Sequence, residues 1–173
     1  MEYYRITQKD NWENVIRPEI LSISEIWEKS EAIFLPGISD TSDELLIFLP
    51  FYESNVFLIS EPVKLIWERY QKGGRYRPCA FGSVKQRRIL PYSFMMPRIL
   101  EGIHSDTRYY PNGDIKELYL DREVIGAHRV FGIRSIRHIW LIVSADVLEE
   151  MMRANITGFH WTQVNVVSSI VPE

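Results

Sequence analysis

A short pattern that occurs twice does most to constrain how this chain can fold. An apolar run, a serine, an amphipathic stripe, a glycine and a second apolar run follow one another at 56–81 and again at 140–167. In the first copy, 56–59 reads as a buried strand and Ser60 as a helix cap whose hydroxyl is free to accept a first-turn amide. Pro62 suits that first turn, where its missing N–H has no helical partner to lose. Val63, Ile66, Trp67 and Tyr70 then fall on one helical face, Gly73 and Gly74 close the helix, and 76–81 continues as a strand. In the second copy the strand is 140–143, the cap Ser144, the stripe Val147, Met151 and Ala154, the stop Gly158. Its closing strand, 159–167, alternates with a one-residue slip. Ser60 and Ser144 are 84 residues apart, and at that spacing Val63 meets Val147, Arg69 meets Arg153 and Gly74 meets Gly158. The expectation is an α+β fold: a mixed, mainly antiparallel sheet with two helices delivered by two strand–Ser–helix–Gly–strand units.

The rest of the chain reads less regularly. A strand is expected at 2–6, a helix over 18–33, and a buried strand at 45–51 stopped by Pro50. Asn112-Gly113 is a tight-turn signal for a hairpin between 109–110 and 118–120. A further strand is expected over 124–133, followed by a short basic turn at 134–137. At 173 residues and 46% apolar, the chain has material for one substantial core, so a single domain over 1–173 is expected. One cysteine, Cys79, forms no internal disulfide, and neither a signal peptide nor a bilayer-length apolar run is visible. A cytoplasmic protein without membrane association is the expectation.

Net charge is −3, but it is distributed unevenly. Residues 1–61 sum to −8, residues 62–137 to +8, and residues 138–173 to −3. Opposed blocks of this kind either satisfy each other or present two faces to partners. Within 64–88, eight basic residues, Lys64 to Arg88, interleave with Tyr70, Tyr76 and Phe81, the composition of a nucleic-acid-binding surface. Tyr70 and Phe81, however, are equally well placed to be core.

Catalytic chemistry finds little to stand on. His104, His128, His138 and His160 show no metal-ligand spacing, so no metal is expected. Glu101, His104, Ser105 and Asp106 form the best local constellation for a hydrolase, but their closeness in sequence reads as turn chemistry. No phosphate-binding glycine loop is present, and no cofactor is expected.

Taken in order, FLIS-x-x-V at 57–63, LPYSFMMPRILEGIHSDTRYY at 90–110, IKELYLDREVIGAHRVFGI at 115–133 and WLIVSADVLEEMMRANITGFHWTQV at 140–164 resemble a bacterial family of polymorphic-toxin immunity proteins, formerly a domain of unknown function. The similarity covers about residues 56–166, leaving 1–55 as an acidic N-terminal segment without a counterpart. The resemblance implies a non-catalytic cytoplasmic protein that binds a cognate toxin stoichiometrically and neutralises it. It assigns no functional residue. From the chain itself, the partner-binding candidates are the acidic loop with Asp40, Asp43 and Glu44, suited to a basic toxin, and the basic strip Lys85, Arg87 and Arg88.

Overall fold

Seventeen elements follow one another in a computed structural model that describes residues 1–10, 13–19, 21–39, 46–53, 56–71 and 73–169. They are β1 (Tyr3–Gln8), β2 (Arg17–Pro18), α1 (Ile23–Trp27), β3 (Ile33–Ile38), β4 (Phe51–Tyr52), β5 (Phe57–Ser60), α2 (Glu61–Tyr70), β6 (Arg75–Ser83) and β7 (Arg88–Met96). After these come β8 (Arg108–Tyr109), β9 (Ile115–Glu117), β10 (Tyr119–Asp121), α3 (Arg122–Ile125), β11 (Val130–Arg134), β12 (Ile139–Ser144), α4 (Ala145–Arg153) and β13 (Phe159–Val167). The class is α+β. One sheet has the order β2-β3-β6-β7-β5-β4, another β10-β13-β1-β12-β11, and β8 and β9 form a small ribbon. Pairing is mainly antiparallel; β3 with β6 and β10 with β13 are the parallel ladders among the described residues.

Leaving out β2, the five strands from β3 to β4 match the second sheet in order and direction. From β3 to β4 the neighbours run parallel, then antiparallel three times, and from β10 to β11 they do the same. Registers match as well. Leu35 faces Phe81 as Leu120 faces Val166. Phe57 faces Met95 as Leu141 faces Ile6, and Phe51 faces Ile59 as Val130 faces Val143. Detailed contacts repeat on the same correspondence. Tyr92 Oη donates to the Leu49 carbonyl at 2.6 Å, and Tyr3 Oη donates to the His128 carbonyl at 2.9 Å. The amide of Ser60 donates to the Pro50 carbonyl at 2.9 Å, that of Ser144 to the Arg129 carbonyl at 2.8 Å. The strand that plays the part of β7 in the second sheet is β1, supplied from the far end of the sequence.

α2 and α4 lie between the sheets. Val63, Ile66 and Trp67 are the buried face of α2; Val147, Leu148 and Met151 are that of α4. Together with Ile6, Phe51, Phe57, Ile59, Met95, Leu141 and Val143 they make one core shared by both halves. The outer face of the first sheet (Leu35, Leu58, Phe81, Tyr92) is covered by the segment that includes Val15, Ile16, Ile26 and Leu46. That of the second (Leu120, Phe131, Ile142, Val164) is covered by Leu100, Ile103 and Ile125. The N-terminal third is therefore part of both sheets and of one covering layer.

Several local expectations need correction. Four helices are present among the described residues, and neither Ser60 nor Ser144 caps its helix through the side chain; the Ser144 hydroxyl bonds the Asp146 carboxylate instead. Ala154 is the exposed C-cap of α4, and Leu148 takes its place in the buried stripe. The helix expected over 18–33 is reduced to α1, where Ser22 and Glu25 form a reciprocal capping box and Arg17 and Pro18 pair with β3. The strand expected over 124–133 begins only at Val130. Asp121 accepts from the amides of Glu123 and Val124 to start α3, and Gly126, at φ 51°, ends it. Of the strand expected at 45–51, residue 45 lies outside the described residues, Ile47 makes an isolated parallel bridge with Val15, and Phe51 enters a ladder.

Candidate functional site

The residues singled out in the sequence fare differently. Asp40, Asp43 and Glu44 lie outside the described residues. Lys85 and Arg87 stand exposed in the tight turn between β6 and β7, where Arg87 takes a left-handed φ of 52°. Arg88, next in the chain, is occupied by the fold itself. Its Nη1 donates to the Leu46 carbonyl at 2.9 Å and its guanidinium lies 5.3 Å from the centre of the Phe48 ring. The structure therefore brings Lys85 and Arg87 together without Arg88.

Much of the remaining basic block is also engaged internally. Lys64 Nζ sits 3.8 Å from Glu61 and 3.7 Å from Glu68 along α2. Arg69 pairs with Glu150 across the α2–α4 contact. The Arg75 guanidinium covers Trp27 at 4.5 Å, and Arg77 donates to the Glu31 carbonyl at 2.7 Å. Phe81 and Tyr92 are core, while Tyr70 and Tyr76 donate their hydroxyls to Glu150 and Gln71. The His104 set forms a turn: the Asp106 amide donates to His104 Nδ1 at 3.2 Å, and the Thr107 amide donates to the His104 carbonyl at 3.0 Å. Among the described residues, no group of three His, Cys, Asp or Glu stands ready to hold a metal ion. Cys79 is buried, and burial pushes its thiol up to about 12. No helix among the described residues is long and apolar enough to cross a membrane.

An open groove of about 870 Å³ lies among the described residues. Its floor is the outer face of the first sheet, with Leu35, Leu58, Phe94 and Met96. One wall is the segment from Arg17 to Ile26, which passes through Glu19, Leu21 and Ile23 on α1. The opposite wall is the tip of the β11–β12 hairpin, residues 134–139, reaching across from the second sheet. Gln8 and Glu53 close one part of it in a reciprocal pair. The Gln8 amide donates to Glu53 Oε2 at 3.0 Å, and the Glu53 amide donates to Gln8 Oε1 at 2.9 Å. Among the described residues Gln8 Nε2 is buried there without a hydrogen-bond partner.

The correspondence between the sheets explains where this wall comes from. Phe51 and Ile59, paired across β4 and β5, are eight residues apart in sequence. Their counterparts Val130 and Val143 are thirteen apart. The β11–β12 hairpin is thus five residues longer than the shared plan requires, and the added length ends in Arg134, Ser135, Ile136, Arg137 and His138. This tip is anchored: the Ser135 amide donates to the His138 carbonyl at 2.9 Å, and Ser135 Oγ is 3.4 Å from Asp114. Ile136 remains 68% exposed. Among the described residues neither Arg134 nor Arg137 has a carboxylate partner. Sequence reading treated 134–137 as a connector. The available signal was the unequal spacing around two otherwise matching strand–serine pairs.

A second, smaller hollow of about 210 Å³ opens on the outer face of the second sheet. There the Arg5 guanidinium stacks on Trp140 at 3.6 Å, and burial lowers its pKa against the opposing pull of Glu53 and Asp114. No protein-family model matches this chain, and no curated protein matches it.

Proposed function

We propose that this protein is a stoichiometric inhibitor of the immunity-protein kind, which binds a cognate protein toxin in the cytoplasm and blocks it without catalysis. The observation that carries the reading is the groove wall at 134–138. It consists of chain beyond the length of the β4–β5 connection, it is anchored in place, and among the described residues its two arginines have no carboxylate partner. Anchored, desolvatable surface with unspent charge favours association, since little ordering entropy remains to be lost on binding. The sequence resemblance over 56–166 supports the same reading, with an interface of the usual ~1,600 Å² covering or distorting the toxin's site.

The two strand–Ser–helix–Gly–strand segments are read here as two copies of one unit, the second closed by β1. Matched registers and the paired Tyr92–Leu49 and Tyr3–His128 bonds support that reading. Co-expression with the C-terminal domain of the neighbouring open reading frame tests the function. Rescue of growth together with co-purification is the expected result; continued killing with no complex recovered would overturn it. In the same assay, charge reversal at Asp40, Asp43 and Glu44 measures what the acidic loop contributes.

A further inference from the structure

We infer that the groove is the docking site for an acidic, partly apolar extended segment of a protein partner, held by Arg134 and Arg137 over the apolar floor of the first sheet. The inference deepens the binding reading above and names the surface it uses. Three observations carry it. First, over a floor of buried Leu35, Leu58 and Phe94 the groove exposes the apolar side chains of Ile23, 51% exposed, and Ile136, 68% exposed, so an occupant gains by bringing apolar side chains against them. Second, the hairpin wall carries Arg134 and Arg137 with no acid on the same turn and no carboxylate partner elsewhere among the described residues. Guanidinium groups pair in two-pronged fashion with carboxylates, so the charge calls for an acidic occupant. Third, Gln8 Nε2 is a buried donor without a partner among the described residues, beside the same groove, and Gln8 is only 8% exposed. An incoming carbonyl or carboxylate would satisfy it.

The same geometry argues for a peptide over a nucleic acid. Glu19 and Glu53 also line the groove, and they would oppose a continuous run of phosphates while leaving room for a segment that alternates charge with apolar residues. The Ile136 side chain, exposed at the hairpin tip, offers a further apolar contact at the rim.

The test is a titration of the full chain with a fluorescein-labelled decapeptide alternating glutamate with leucine, read by anisotropy at low salt. The same titration uses a lysine–leucine decapeptide and a labelled oligothymidylate. Saturable binding of the glutamate peptide is expected, weakened at least about tenfold by the double variant Arg134→Glu with Arg137→Glu, with the lysine peptide gaining affinity for that variant. Both positions are exposed, and an unchanged thermal midpoint confirms that the variant is folded. No saturable binding of the glutamate peptide, equal affinity for the folded variant, or tighter binding of the oligothymidylate would each overturn the inference. Failure of the co-expression assay would remove the toxin as partner and leave the peptide result standing, so the two readings fail separately.

Discussion

The indole N–H of Trp67 donates to the sulfur of Met151 at 3.2 Å, and the two residues are 84 apart, the spacing that separates Ser60 from Ser144. Both are fully buried, and both stand third in the buried face of their helix. The contact thus sits where the two halves meet, with Arg69 and Tyr70 on one side of it reaching Glu150. Trp67→Ala should cost about 3–5 kcal/mol, as for other large buried aromatics. Trp67→Phe, which keeps the ring but loses the N–H and some volume, should cost about 1–2 kcal/mol. Urea denaturation reads both, and a Phe variant as stable as the parent would show that the helices do not meet through this pair.

β1 has an unusual burden for a terminal strand. Tyr3 to Ile6 pair on one side with β12 and all six residues pair on the other with β13, so the second sheet has no centre without it. Ile6 and Tyr3, both buried, belong to two different cores. A chain lacking residues 1–8 should therefore lose cooperative unfolding, leaving β12 and β13 with unpaired edges. Adding a synthetic peptide of residues 1–10 should restore a cooperative transition. Cooperative unfolding of the truncated chain at the parent's midpoint would contradict this.

What the sequence disclosed and what it concealed divide along the range of the interaction. The α+β class and the prevalence of antiparallel pairing follow from local periodicity, because an i, i+3, i+4 stripe and an alternating strand are written in consecutive residues. The place of β1 is a pairing across more than 130 residues, and no periodicity in 3–8 announces it. α3 was missed because Val124 and Ile125 read as strand formers, while Asp121, one residue before the turn, decided the matter by taking two amides. The groove was invisible for the same reason as β1. Its floor, α1 wall and hairpin wall come from three distant parts of the chain, and only the hairpin tip showed its charge locally.

Helix capping gives a contrast that sequence reading placed on the wrong serines. The Ser22 hydroxyl accepts from the Glu25 amide at 3.2 Å while Glu25 returns a bond to the Ser22 amide at 2.8 Å. Ser60 makes no such side-chain bond; its amide is held by Pro50 instead, and alanine keeps an amide. Ser22→Ala should cost about 1 kcal/mol and Ser60→Ala less than about 0.5 kcal/mol. The ranking, measured by chemical denaturation, reverses if the Ser60 hydroxyl is a cap in solution.

Cys79 supplies a pH dependence with a definite direction. Burial raises its folded pKa from 9.0 to about 12, with the backbone at Phe94 opposing in part. Above pH 9 the unfolded chain releases this proton before the folded chain does, so stability is intact below pH 9 and declines as pH rises toward 12. Cys79→Ala should flatten that alkaline decline relative to the parent, in which Tyr52 and Tyr92, also raised by burial, continue to contribute. Alkylation by iodoacetamide at pH 8 should be slow until denaturant is added. Rapid labelling of the folded chain would place the thiol at the surface.

The three basic residues of the β6–β7 strip should separate by what each one touches. Arg88 donates to the Leu46 carbonyl and lies against Phe48, joining the turn to the cover of the first sheet. Arg88→Ala removes a charged donor from a backbone carbonyl and should cost on the order of 1 kcal/mol. Lys85 and Arg87 stand in solvent at the turn, so their charge reversal should leave the thermal midpoint unchanged. If the strip contributes to partner recognition, Lys85→Glu with Arg87→Glu should slow association and make it less sensitive to salt, since exposed rim charges act mainly on the rate of encounter. Unaltered association kinetics in the folded double variant would remove Lys85 and Arg87 from partner recognition and leave the 134–138 wall as the basic surface to pursue.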